Sequence, residues 1–201
     1  MSSCRTTISL LLVGGVLAAC AAGDALQALQ GESITQYPAV EAWTCAPDRA
    51  QLVLDARGAT GFGPFSLEGA VIARTDMPAA PVYARAVNAK RFGSWDSVGL
   101  FADLPPGTYR VVQLRLVRPN AVMTVPVPMP TTVPDKFTVT LAPGQLAYLG
   151  QVVFEEKPGL PARRSMDLVA DPARQRVAST ILKDRFPTSP CINLLDKQAA
   201  G

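Results

Sequence analysis

From Arg49 onward the apolar residues fall into short runs broken by Gly, Pro and Asp: 51–54, 65–73, 81–87, 97–102, 108–117, 136–141, 145–154 and 165–169. Several alternate with period two, through Phe137, Val139 and Leu141 in one run and Tyr148, Gly150, Val152 and Phe154 in another. Alternation sends successive side chains to opposite faces, so one face of each strand can meet a core while the other meets water. Seven or eight such strands, separated by turn residues, predict an all-β body built as an antiparallel β-sandwich. Beyond the last run the period changes. Residues 171–186 read as one C-terminal α-helix, with Asp171 as N-cap, Pro172 in the first turn and Pro187 as the stop. Val177, Ile181 and Leu182 are expected to face the sandwich, leaving Arg174, Lys183 and Asp184 in water.

Two segments interrupt the strand pattern. In Leu100-Phe-Ala-Asp-Leu-Pro-Pro-Gly-Thr-Tyr-Arg-Val111, Pro105 and Pro106 preset φ and Gly107 permits φ > 0. The chain therefore reverses, and Tyr109 re-enters a sheet two residues later. This turn, together with Leu141-Ala-Pro-Gly-Gln-Leu-Ala-Tyr-Leu-Gly150, resembles those of transthyretin-like and carboxypeptidase-regulatory-like β-sandwich domains. The resemblance implies a fold and carries little about activity. The second segment, Val125-Pro-Val-Pro-Met-Pro-Thr-Thr-Val-Pro134, holds prolines that forbid a central strand. It is either a protruding recognition arm offering Met123, Met129 and valines to a partner or a long, stiff hairpin loop.

At the N-terminus a short polar start with one charge, Arg5, precedes the apolar stretch 8–16 and then small residues, the order of an export signal. The stretch is short for a membrane span. It ends in Leu17-Ala18-Ala19-Cys20, which resembles the bacterial lipobox. That resemblance implies cleavage before Cys20, a lipid on Cys20 and acylation of the new N-terminus. Ala21 after the cysteine implies sorting to the outer membrane, facing the periplasm, with surface exposure left open. One acyl chain binds a bilayer marginally, at about 0.8 kcal/mol per buried CH₂, whereas two or three hold a protein stably. The expected organisation is a signal peptide over 1–19, a tether over 20–44, the sandwich over 45–170, and the helix with its tail over 171–201.

Cys4 leaves with the signal and Cys20 takes lipid, so Cys45 and Cys191 remain in an oxidising compartment, where the simplest outcome is a disulfide between them. Trp43, two residues away, is expected to pack over that bridge. The 19 Lys and Arg against 16 Asp and Glu leave a small, scattered excess, too weak to indicate nucleic acid.

The chain has no histidine, which removes Ser-His-Asp and Cys-His nucleophilic sets and leaves two thiols short of a metal-ligand set. The nearest approach to a Ser-x-x-Lys dyad, Thr180 with Lys183, falls on the predicted helix. Glu155 and Glu156 are strand neighbours and point apart, which does not suit paired-carboxylate chemistry. No catalytic residue, metal or cofactor is assigned. The expectation is a non-catalytic envelope accessory lipoprotein, held to the membrane by Cys20 and docking on another envelope protein. The alternative is a module that binds glycan, peptidoglycan or an apolar ligand through Phe92 and Trp95, since loop tryptophans stack on sugars and anchor interfaces.

Overall fold

A computed structural model describes residues 39–60, 63–88, 96–117, 124–129, 136–157 and 163–195. The first 38 residues, including Cys20, lie outside them, as do Phe92 and Trp95. The described residues belong to one unit, Ser33–Gly201. It is all-β, with nine strands among the described residues: β1 (Ala50–Thr60), β2 (Gly63–Arg74), β3 (Val82–Asn88), β4 (Ser97–Leu104), β5 (Gly107–Val117), β6 (Thr124–Pro128), β7 (Thr138–Leu141), β8 (Leu146–Lys157) and β9 (Arg163–Val169), followed by the helix α1 (Pro172–Arg185).

Eight of the nine strands coincide with the periodic runs in the sequence. The ninth, β6, is the proline-rich segment. It is an edge strand paired only to β5, where Pro126 and Pro128, two residues apart, both lack an N–H without costing a ladder bond on a second side.

Strands run in the order β6-β5-β2-β3-β4-β1-β8-β9, with β7 also on β5. Arg57–Thr60 of β1 pairs back on Gly63–Ser66 of β2, which closes the sheet into a partial barrel. The pairings are antiparallel except β1 with β8, which run parallel because the whole of β2 to β7 separates them in sequence.

One core lies between the layers. Leu52, Leu54 and Ala56 of β1, Phe101 of β4, and Val152 and Phe154 of β8 meet Ala70 and Ile72 of β2 and Tyr109, Val111, Leu114 and Leu116 of β5. A second core lies on the outer face of β1, β4 and β8. There Val53, Val98, Leu100 and Leu146 pack against Ala178, Ile181 and Leu182 of α1 and against Phe186, Cys191, Ile192 and Leu195 after it. The helix starts as its sequence predicts: Asp171 Oδ1 accepts from the Ala173 N–H at 2.8 Å, and Pro172 occupies the first position. It ends where the Phe186 N–H donates to the Leu182 carbonyl.

The Leu104–Gly107 turn carries the chain from β4 in one layer to β5 in the other. Gly107 takes φ +155°, and Asp103 just before the prolines takes φ +55°, a left-handed value that carboxylate side chains tolerate better than most. Tyr109 is buried and locks the corner by donating its hydroxyl to the Pro105 carbonyl at 2.6 Å.

Gly150 breaks the alternation expected along β8. The pairing with β1 shifts between Val53/Tyr148 and Asp55/Gln151, a bulge in which Gly150 takes φ +123°. Tyr148 therefore faces the helix while Val152 and Phe154 face the inter-layer core, although all three share the parity that placed them on one face of an unbroken strand. A Cβ on Gly150 would stand 3.0 Å from the Val169 carbonyl oxygen.

Gly150→Ala is expected to cost about 1–3 kcal/mol from backbone strain alone, read as a lower urea midpoint at unchanged slope. Tyr109→Phe, which deletes one hydrogen bond and leaves the ring packed, is expected to cost about 1 kcal/mol in the same assay.

Candidate functional site

Seven consecutive residues of β1, Ala50 to Ala56, are buried, and two of them, Gln51 and Asp55, are polar. Their positions follow from the period of a strand: even residues enter the inter-layer core, so 51, 53 and 55 face α1. Each polar side chain there is met by groups from distant sequence.

Gln51 holds the upstream segment. Its Oε1 accepts from the Trp43 indole N–H, and its Nε2 donates to the Thr44 carbonyl at 2.7 Å and lies 3.1 Å from Cys45 Sγ. Cys45 and Cys191 form the expected disulfide, with Cα atoms 5.6 Å apart, a separation typical of such bonds. Trp43 packs edge-on to Phe186 at 6.0 Å between ring centroids, and its carbonyl accepts from the Ser189 hydroxyl at 2.7 Å. It covers the bridge, as its place beside Cys45 predicts.

Asp55 holds the helix. Its Oδ2 accepts from Gln151 Nε2 at 2.8 Å and from Arg174 Nε and Nη2 at 2.9 and 2.6 Å. Arg174 Nη1 reaches on to Asp96 Oδ1 at 2.9 Å. The Gly150 bulge makes this possible by bringing Gln151 level with Asp55. Arg174 was expected in water; it turns inward to the Asp55 carboxylate, which is 2% exposed.

The pair is unequal. Burial pushes the Asp55 carboxyl above the usual range, and the hydrogen bonds and charge of Arg174 offset that only in part. Burial also opposes the Arg174 charge, but Asp55 and then Asp96 outweigh it and hold the guanidinium above its ordinary value. The deeper member carries the cost: the Asp55 side chain is 2% exposed and that of Arg174 is 22%. The Tyr148 hydroxyl beside them is buried without a hydrogen-bond partner among the described residues, and its pKa is raised by burial and then by the Asp55 charge.

This seam ties the upstream segment and the helix to β1. Among the described residues no three His, Cys, Asp or Glu gather to hold a metal. Thr180 donates its hydroxyl to the Arg176 carbonyl one turn back, on the exposed side of α1. No helix among the described residues is long and apolar enough to cross a membrane.

Met129, expected to be offered to a partner, is instead 5% exposed within the inter-layer core, and Val127 is equally covered. The cause is the edge strand. The Met129 N–H donates to the Val112 carbonyl at 2.9 Å, which continues the β6 ladder, and the Val111 N–H donates to the Phe137 carbonyl at 3.0 Å, which begins that of β7. Adjacent residues of β5, Val112 and Val111, thus hold Met129 and Phe137, which stand in the sequence on either side of 130–136.

The opposite edge is β9, which pairs with β8 alone and has no proline. Ser165, Asp167 and Val169 are exposed along it, and Asp167 meets Lys136, the residue before Phe137.

No protein-family model matches the sequence, and no curated protein matches it. Among solved structures, a leucine-rich repeat protein from Bacteroides thetaiotaomicron overlays with a TM-score of 0.35 and 14% identity, over 53% of this chain and 12% of its own. At that score the overlay identifies neither a fold family nor a function.

The polar seam had a signal in the sequence: Gln51 and Asp55 are polar positions of matching parity in an otherwise apolar strand. Their partners Gln151 and Arg174 had none, because a bulge and a helix packing decide them.

Removing Arg174 would leave Asp55 buried and unpaired. Arg174→Ala is expected to cost about 3 kcal/mol at pH 7, the low end for a broken buried pair because Arg174 is partly exposed. In the native state Asp55 already binds its proton more tightly than in the unfolded chain, so between the unfolded and folded pKa values stability gains as pH falls. Without Arg174 that gain grows, and the deficit of Arg174→Ala should shrink as urea midpoints are measured from pH 7 towards pH 4. Asp55→Asn in the same background should remove most of the pH dependence.

Proposed function

We propose that this chain is a lipid-anchored accessory protein of the bacterial envelope, held at the outer membrane through Cys20 and facing the periplasm, which docks on another envelope protein without catalysing a reaction. The anchoring half of the reading rests on Leu17-Ala18-Ala19-Cys20 and on the export signal before it. The likeness to transthyretin-like sandwiches, which rests on the Leu-Pro-Pro-Gly-x-Tyr turn, bears on the fold and not on the activity.

The observation that carries the docking half is the interruption of the β5 edge. The inter-layer core needs Val127, Met129, Phe137 and Leu141 from that edge, and a continuous strand would supply them. Val112 holds Met129 and its neighbour Val111 holds Phe137, so residues 130–136 of the sequence come between two adjacent positions of the β5 edge. Pro126 and Pro128, just upstream in the sequence, discourage indiscriminate strand pairing, which leaves recognition to side chains.

The test is crosslinking in intact cells with a photoreactive residue in place of Thr131, followed by mass spectrometry, with a Cys20→Ala control. One envelope protein recovered in near-stoichiometric amount, and lost from the control along with membrane attachment, is the expected result. Recovery of the lipidated chain alone would overturn docking and favour ligand binding through Phe92 and Trp95.

A further inference from the structure

The two cores are separate sets of residues. No residue after Val169 belongs to the inter-layer core, which the strands build by themselves. Residues 171–195 enter only the second core, against the outer face of β1, β3, β4 and β8 and against Trp43. The grip of α1 on that face is small: Ala178, Ser179, Ile181 and Leu182 are its only buried residues. Point links reinforce it: Arg174 to Asp55 and Asp96 near the first turn, and, beyond the last, the Ser189 hydroxyl to the Trp43 carbonyl and Cys191 to Cys45. Of these links the disulfide alone is covalent. Cys191 is fully buried, whereas Cys45 is only half-buried.

We propose that residues 171–195 form a strap that an external dithiol releases: reduction of the Cys45–Cys191 bond lets α1 and its tail leave the sheet as a unit while the inter-layer core stays folded. In the exchange, a thiolate of the reductant attacks Cys45 Sγ and the Cys191 thiolate departs. The reductant's second thiol then resolves the mixed disulfide. Two electrons and two protons pass to the protein, which ends with two thiols, and the dithiol ends as its own disulfide. Release uncovers Val53, Val98, Leu100 and Leu146, a contiguous apolar surface that the oxidised protein keeps hidden. This device stands independently of the docking partner.

The experiment is native-state hydrogen exchange on the full chain with and without dithiothreitol, residue by residue, together with fluorescence in a Trp95→Phe background that leaves Trp43 as the sole tryptophan. On reduction, the amides of 175–185 should lose at least tenfold in protection while those of β1, β2, β5 and β8 keep theirs. Trp43 emission should shift to the red as its cover leaves. Unchanged protection of 175–185 after thiol titration confirms full reduction would overturn the proposal. So would an equal loss in strands and helix, since the strap would then share one cooperative unit with the sandwich. Cys45→Ser/Cys191→Ser should reproduce the reduced state without reductant, and a double variant with the oxidised protein's protection would also sink it.

Discussion

Burial of β1 on both faces is the constraint from which the rest of the structure follows. A strand covered on one side alternates between apolar and polar residues; one covered on both must satisfy two environments at once. Leu52, Leu54 and Ala56 complete the core between the layers, while Gln51, Val53 and Asp55 lie beneath chain that arrives from opposite ends of the sequence. Gln51 receives Trp43 and Thr44 from upstream, and Asp55 receives Arg174 from downstream. Remove the C-terminal cover, and two polar groups and a row of aliphatic ones return to water together.

A double-sided strand needs its polar outer residues met with some accuracy, and the bulge at Gly150 supplies it. An unbroken β8 would set Gly150 opposite Asp55 and turn Gln151 into the inter-layer core, where an amide has no partner. One extra residue reverses that, giving Asp55 a third donor and returning Val152 and Phe154 to the inner face. The arrangement still leaves a carboxylate whose burial outweighs its hydrogen bonds. A buried ion pair of this kind fixes where the helix sits more than it adds to stability.

Most of the fold was legible because it is written in period. Eight strands, the helix with its Asp171 cap, the reversal before Tyr109 and the pairing of Cys45 with Cys191 all follow from alternation, turn chemistry and counting. What escaped depends on registers that no local pattern encodes. Four prolines in ten residues ruled out a central strand and favoured an extended connection; 124–128 instead joined the sheet at its edge, where prolines are tolerated, and drew Met129 into the core. Arg174 was assigned to water from its place on the helix, since nothing within α1 reveals a carboxylate beneath its first turn. Cys20, Phe92 and Trp95 lie outside the described residues, and their readings still rest on sequence.

Strand direction separates the surfaces on which recognition could be built. β1, β3, β5 and β8 all end toward one end of the sandwich, since β8 runs parallel to β1 and each of the others is related to it through two antiparallel steps. Asn88 and Ser97, which bracket Phe92 and Trp95, stand at that end, opposite the one where the chain enters β1 from Trp43 and the disulfide. Met129 and Phe137, which flank 130–136 in the sequence, stand instead in the middle of an edge, on Val112 and Val111. A partner gripping that edge would lie along the sheet and leave the end marked by Asn88 and Ser97 uncovered.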